Sequence, residues 1–124
     1  ALVSALHAAG GRCAIFTNKR GDSSRRLCDH LGLTPLLAGV FGANDTPWLK
    51  PDPRFARHVL ATLPATAATT CLVGDSIYDC AAGRNAGREF YGVTTGTHTA
   101  AELRAAGAVN IYPDLAALTP VLLG

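Results

Sequence analysis

The chain has 124 residues, of which 48% are hydrophobic and 16% charged; that is one domain's worth of sequence, enough to bury roughly two-thirds of its unfolded surface. Eleven Lys and Arg against nine Asp and Glu leave a formal charge of +2, too little to argue for a nucleic-acid partner. No apolar run approaches the ~20 residues of a membrane helix, no secretory signal opens the chain, and so apolar a composition argues against disorder.

The chain contains no Met, which fits either removal of an initiator before Ala1 or an internal segment of a longer protein. Cys13, Cys28, Cys71 and Cys80 show neither C-x-x-C spacing nor close histidines. They read as buried or half-buried thiols of a reducing cytoplasm, not as a disulfide framework or a zinc site. The expectation is a cytoplasmic protein folded as one domain over 1–124.

In chain order, Leu2 to Ala9 reads as the end of a helix stopped by Gly10 and Gly11. Cys13 to Phe16 is an apolar run of strand length, which Thr17 and Asn18 leave. Asp22, Ser23 and Ser24 offer N-caps for a helix to about Leu31, with Gly32 behind it. Val40 and Phe41 mark a weaker strand, whose exit loop runs from Gly42 through Trp48 to Pro51. Pro53 suits the first turn of a helix that runs to about Leu63. Cys71 to Gly74 is a third strand, followed by a helix from about Ile77 to Ala86. Phe90 to Val93 is a fourth strand. Thr99 and Glu102 form a capping box for a helix that ends at Gly107. Val109 to Tyr112 reads as an edge strand and Leu115 to Leu123 as a closing helix despite Pro120.

Strands alternating with helices, the strands mostly apolar throughout, predict a mainly parallel sheet of about five strands covered on both faces, a Rossmann-like three-layer α/β sandwich. Right-handed crossovers put the C-terminal ends of the strands on one edge, where ligand chemistry belongs. The residues just beyond the strands are therefore the informative ones.

Gly74-Asp75-Ser76-x-x-Asp79 is the sharpest signal. A strand that stops on Gly and turns into a helix places Asp75 at the edge, with Asp79 about 6 Å further along the helix on the same side. Two carboxylates so placed repel unless a cation sits beside them, and oxygen ligands with open positions suit Mg²⁺. The bland alternative is a helix start decorated with acids for its dipole. Lys50, ahead of the stiff Pro51-Asp52-Pro53, offers a point charge to phosphate or carboxylate, or else is an ordinary loop lysine. Thr17 and Asn18 offer a hydroxyl and N–H donors to a phosphate oxygen, or else are plain turn residues.

Taken in order, Ile15-Phe16-Thr17-Asn18-Lys19, Lys50-Pro51-Asp52-Pro53, Val73-Gly74-Asp75-Ser76 with Asp79, and Gly92-Val93-Thr94-Thr95-Gly96 resemble the later motifs of the haloacid dehalogenase-like hydrolase superfamily. The likeness is strongest to its phosphoglycolate-phosphatase-like members and covers essentially the whole chain. It implies a Mg²⁺-dependent phosphohydrolase core acting on a small phosphorylated metabolite. Thr17, with Asn18, would hold the transferring phosphoryl group and Lys50 would neutralise charge around it. Asp75 would ligate Mg²⁺, and Asp79 would orient either its water shell or Lys50. The chemistry implied is phosphoryl transfer to an aspartate followed by hydrolysis.

The family's first motif, D-x-D-G-T or a close variant, is absent, and with it the nucleophile; so is the helical cap. None of Asp22, Asp29, Asp45, Asp52 and Asp114 belongs to a D-x-D or directly follows an apolar strand. The missing strand would lie centrally, between Cys13–Thr17 and Cys71–Gly74, leaving a gap of about 9.6 Å. Its unpaired backbone groups would each cost about 1–3 kcal/mol if buried dry. Either the flanking strands close on each other, or another chain, a second copy or a missing N-terminal segment fills the slot, or the sequence is truncated. The expectation is negligible turnover by this chain alone, so whether it acts as an enzyme by itself stays open. The alternative is a non-catalytic Mg²⁺/anion-binding or oligomeric assembly module on the same fold.

Smaller features rank lower. Lys19, Arg20, Arg25 and Arg26 read as a solvated helix face before a substrate-anion site. Trp48 reads as a loop anchor, Asn44-Asp45-Thr46 as a polar turn. Of the histidines only His98, beside the Thr94–Gly96 loop, adjoins the edge of interest.

Overall fold

A computed structural model describes residues 2–63, 70–96 and 98–123. The elements follow in the order α1 (Leu2–Ala8), β1 (Cys13–Arg20), α2 (Gly21–His30), β2 (Leu37–Ala43), α3 (Pro53–Thr62), β3 (Cys71–Gly74), α4 (Ile77–Ala86), β4 (Glu89–Val93), α5 (Ala100–Ala105), β5 (Asn110–Tyr112) and α6 (Leu115–Leu123). The strands form two parallel sheets, β1–β2 and β3–β4–β5. This is the expected α/β class with parallel pairing. No ladder joins β1 to β3 among the described residues. Contacts divide the chain into two compact units, residues 1–49 with 119–124 and residues 50–118.

In the first unit, β1 and β2 run in register from Ile15 opposite Val40 and Phe16 opposite Phe41, then resume at Arg20 opposite Ala43. Thr17, Asn18 and Lys19 thus face Gly42 alone, a bulge of three residues against one. The strand was expected to end at Phe16. Its polar tail looks like an exit in sequence, but pairing with β2 recaptures it at Arg20. In consequence α2 begins at Gly21, ahead of the anticipated caps, with Arg20 in the N-cap position and no side-chain cap bond. Gly32 adopts a left-handed φ of 72° behind α2, as its position suggested.

In the second unit, Cys80, Phe90, Leu103 and Ala108 form a buried cluster, with Leu72, Ala106 and Ile111 packed against it. This cluster fixes α4 and α5 on the β3–β4–β5 sheet. Pro53 and the Asp52 cap, whose carboxylate accepts from the Arg54 N–H at 2.9 Å, start α3. Its buried face carries Phe55, Ala56 and Val59. The Thr99–Glu102 capping box forms in both directions. Two local expectations fail. Val109 is 86% exposed and precedes β5 instead of joining it, and Cys71 is exposed at the first residue of β3. All four cysteines are free thiols.

Candidate active site

β3 ends on Gly74, and only Asp75 and Ser76 separate it from α4. So short a turn requires Gly74, because a Cβ there would lie 2.4 Å from the Cβ and Oδ2 of Asp79. Ser76 caps the helix, its hydroxyl accepting from the Asp79 N–H at 3.1 Å. Asp79 is thereby held in the first turn with its carboxylate folded back under the end of β3.

That carboxylate is 7% exposed as a residue and meets donors on both oxygens. Oδ2 accepts from the Asp75 backbone N–H at 3.1 Å, and Oδ1 receives the Lys50 ammonium at 2.5 Å. Only 10% of either side chain of the pair reaches solvent. An ion pair this dry contributes little net stability, since desolvation offsets the Coulombic gain, yet removing one partner strands the other. Its effect here is geometric: it fixes where the ammonium sits.

The backbone of Lys50 is fixed as well. The Lys50–Pro51 peptide is cis, and the Pro51 carbonyl accepts from Asn85 Nδ2 of α4 at 2.9 Å. Asp52 caps α3 two residues on. The Arg54 guanidinium and the Arg54 N–H together hold the Asp52 carboxyl below the usual carboxylate range. Lys50 therefore issues from a segment tied to two helices.

Asp75 differs in kind. It is exposed at the C-terminal edge of the sheet, and the loop after β4 lies against it. A Cβ on Gly96 would come 2.3 Å from Asp75 Oδ2, so only glycine lets the two loops approach this closely. Thr94 at the start of that loop donates its N–H to the Tyr112 carbonyl at 3.1 Å.

The structure thus brings Lys50, Asp75 and Asp79 together at the end of β3. Asp79 is neutralised by Lys50 and the Asp75 amide, while Asp75 alone presents an open carboxylate. Thr17 and Asn18 lie in the other unit, inside the β1 bulge, where the Thr17 hydroxyl accepts from the Lys19 N–H at 3.1 Å. Ser76 carries no role of its own in the motif that contains it, and Asn85 belongs to no motif. The S-x-x-D spacing at a helix start signals the first, and nothing local signals the second.

The basic cluster largely resolves into local pairs. Arg20 forks onto Asp22, Arg25 onto Asp45, and Arg26 reaches Ser23. Trp48 is half-buried and held by reciprocal bonds with the Thr46 hydroxyl, in keeping with an anchor. No group of three or more His, Cys, Asp or Glu side chains gathers as a metal cluster among the described residues. No helix among them is long and apolar enough to cross a membrane.

Residues 1–93 match the sequence profile of the haloacid dehalogenase-like hydrolases. The chain belongs to this family. It is similar to the phosphoglycolate phosphatase of Psychrobacter arcticus, 31% identical over 118 residues that make up 95% of this chain and 51% of that protein. To the phosphoglycolate phosphatase of Agrobacterium fabrum it is 36% identical over 123 residues, 97% of this chain and 51% of that one. A crystal structure of a predicted phosphatase from Clostridium acetobutylicum superposes with a TM-score of 0.89 at 24% identity, over 98% of this chain and 56% of that one. A hydrolase of the same superfamily from Bacillus subtilis, bound to magnesium, gives 0.81 at 22% identity, over 98% and 53%. The chain spans about half the length of the curated relatives it matches. The family and fold inferred from the ordered motifs are therefore those of a haloacid dehalogenase-like, phosphoglycolate-phosphatase-like chain.

Proposed function

We propose that this chain carries the lysine, metal-ligand and phosphate-holding part of a Mg²⁺-dependent phosphomonoester hydrolase site acting on a small phosphorylated metabolite such as phosphoglycolate. The observation that carries this reading is the contrast between the two aspartates. Asp79 is buried and committed to Lys50 and the Asp75 amide, whereas Asp75 is exposed with its carboxylate at the strand edge.

The donor chemistry fits the metal. Mg²⁺ is usually held by one or two carboxylates, several waters and a substrate phosphate, without a closed protein cage. Asp75 offers one such hard oxygen ligand, and the ion would supply neutralisation of charge developing on the phosphoryl oxygens. Lys50, pinned by Asp79, places a second fixed positive charge at the same edge. Asp79 is a positioning residue for Lys50. Thr17 and Asn18 are the candidates for holding the phosphoryl group.

In the reaction, the ester O–P bond breaks as the phosphoryl group passes to a carboxylate, and the alkoxide leaving group takes a proton. Water then attacks the acyl phosphate, releasing phosphate and regenerating the carboxylate. The sequence contains no D-x-D motif to supply that carboxylate, so this chain alone is expected to turn over phosphate esters negligibly. The test is hydrolysis of 2-phosphoglycolate with Mg²⁺ by this chain, alone and mixed with a segment bearing D-x-D-G-T. Turnover only in the mixture, lost in Asp75→Asn, supports the reading; turnover by the chain alone that survives Asp75→Asn rejects it. The resemblance to phosphoglycolate phosphatases supports the substrate class.

A further inference from the structure

The carboxylate of Asp45 sits at the centre of a knot in the first unit that the proposed chemistry does not use. Arg25 grips it with two parallel bonds, Nη1 to Oδ2 and Nη2 to Oδ1, each 3.0 Å. The Gly42 N–H donates to Oδ2 at 2.8 Å, and the Asp45 N–H returns a bond to the Gly42 carbonyl at 3.2 Å. Two bare glycine backbones crowd this carboxylate and each other. A Cβ on Gly21 would lie 2.1 Å from Asp45 Oδ2, and a Cβ on Gly42 would lie 2.6 Å from the Lys19 carbonyl oxygen. Gly42 is the single β2 residue opposite the three-residue bulge of β1, and Gly21 follows directly on the Arg20 that closes it.

We propose that Asp45 is a positioning residue: by clamping Gly42 and Gly21 together it fixes the Thr17–Asn18–Lys19 bulge in the conformation that presents the Thr17 hydroxyl to a phosphoryl group. The inference rests on the reading of Thr17 and Asn18 given above. Thr17 Oγ1 accepts the Lys19 N–H at 3.1 Å, which leaves its own O–H available as a donor. A bulge with three residues against one has no ladder of its own to define its shape. The Arg25–Asp45–Gly42 bonds supply that definition from the neighbouring strand and helix. The Arg25 fork and the Gly42 N–H also hold the Asp45 carboxyl below its ordinary range, in keeping with a carboxylate that stays ionised in this grip. Asn at position 45 would keep the size of the side chain but lose the charge and one of the two acceptor oxygens that serve the fork.

The test is amide hydrogen exchange by NMR on the 124-residue chain and on Asp45→Asn. Local control of the bulge predicts that Lys19 amide exchange quickens by about tenfold or more, while Asp75 and Asp79 keep their rates. An unchanged Lys19 rate, or a uniform rise over all protected amides, overturns the proposal, the second because it marks general loss of stability. Should Asp45→Asn fail to fold, Arg25→Lys weakens the same grip and is expected to give the same local pattern with smaller amplitude; a uniform or absent response there is equally contrary. Titration of the unaltered chain with inorganic phosphate separates this inference from the function it rests on. Absence of any shift at the Thr17 and Asn18 amides rejects their phosphate role, and the exchange result still decides whether Asp45 shapes the bulge.

Discussion

Asp75 and Asp79 are the same residue type four positions apart, and their surroundings call for opposite responses to the same change. Asp79→Asn removes the carboxylate that receives the Lys50 ammonium, a loss of about 3–5 kcal/mol of unfolding free energy by analogy with other broken buried pairs. Asp75→Asn alters an exposed carboxylate and is expected to stay within about 0.5 kcal/mol of the parent, while weakening Mg²⁺ binding. Urea denaturation of both variants, with calorimetric Mg²⁺ titration of the second, checks the pair. Equal stability losses would contradict the division of labour between them. Gly96→Ala drives a methyl group into the Asp75 carboxylate and is expected to weaken Mg²⁺ binding more than it lowers stability, measured the same way. At this scale the sequence disclosed which residues matter but not how they are disposed. Spacing alone put both carboxylates side by side. What turns Asp79 inward is the absent Cβ of Gly74 and a lysine 29 positions upstream in the chain, neither of which helical periodicity reports.

Local chemistry is more legible at the level of elements, wherever the signal is a cap or a turn. Ile77–Ala86 and Cys71–Gly74 form as anticipated, and the Thr99–Glu102 box and Pro53 mark true helix starts. Ser76→Ala removes the cap of α4 and is expected to cost about 1 kcal/mol. It should also speed exchange of the Asp79 amide, which donates to that hydroxyl. The continuation of β1 past Phe16 was not legible, because it is decided by Arg20 meeting Ala43 of β2 and not by the polar residues between. On β4 the Tyr91 hydroxyl donates to the Glu89 carboxylate two residues away on the same strand face. That bond, with the neighbouring negative charge, pushes the Tyr91 phenol up to about 12. Between pH 10 and 12 the folded chain then holds a proton that the unfolded chain has lost, so the bond's stabilising contribution is present below pH 10 and falls away as pH rises through 12. Ultraviolet titration should show a late-ionising component that vanishes in Tyr91→Phe.

For the molecule as a whole, composition and strand–helix alternation predicted an α/β fold with parallel pairing, and the ordered motifs predicted the family; both hold. Which strands pair was less accessible. Parallel neighbours are chosen by crossovers and packing across the whole chain, and the five strands divide into a pair and a triplet. Lys50, Asp75 and Asp79 belong to one compact unit, and Thr17 and Asn18, proposed above to hold the phosphoryl group, belong to the other. The proposed hydrolase needs a carboxylate nucleophile that no D-x-D in these 124 residues provides, and the relatives are about twice as long. The most direct measurement is therefore phosphate release from 2-phosphoglycolate with Mg²⁺, comparing the chain alone with the chain plus a D-x-D-G-T segment. The expected result is background release from the chain alone and Asp75-dependent release once the segment is added. Release by the chain alone that persists in Asp75→Asn, or no release with the segment bound, would contradict the account.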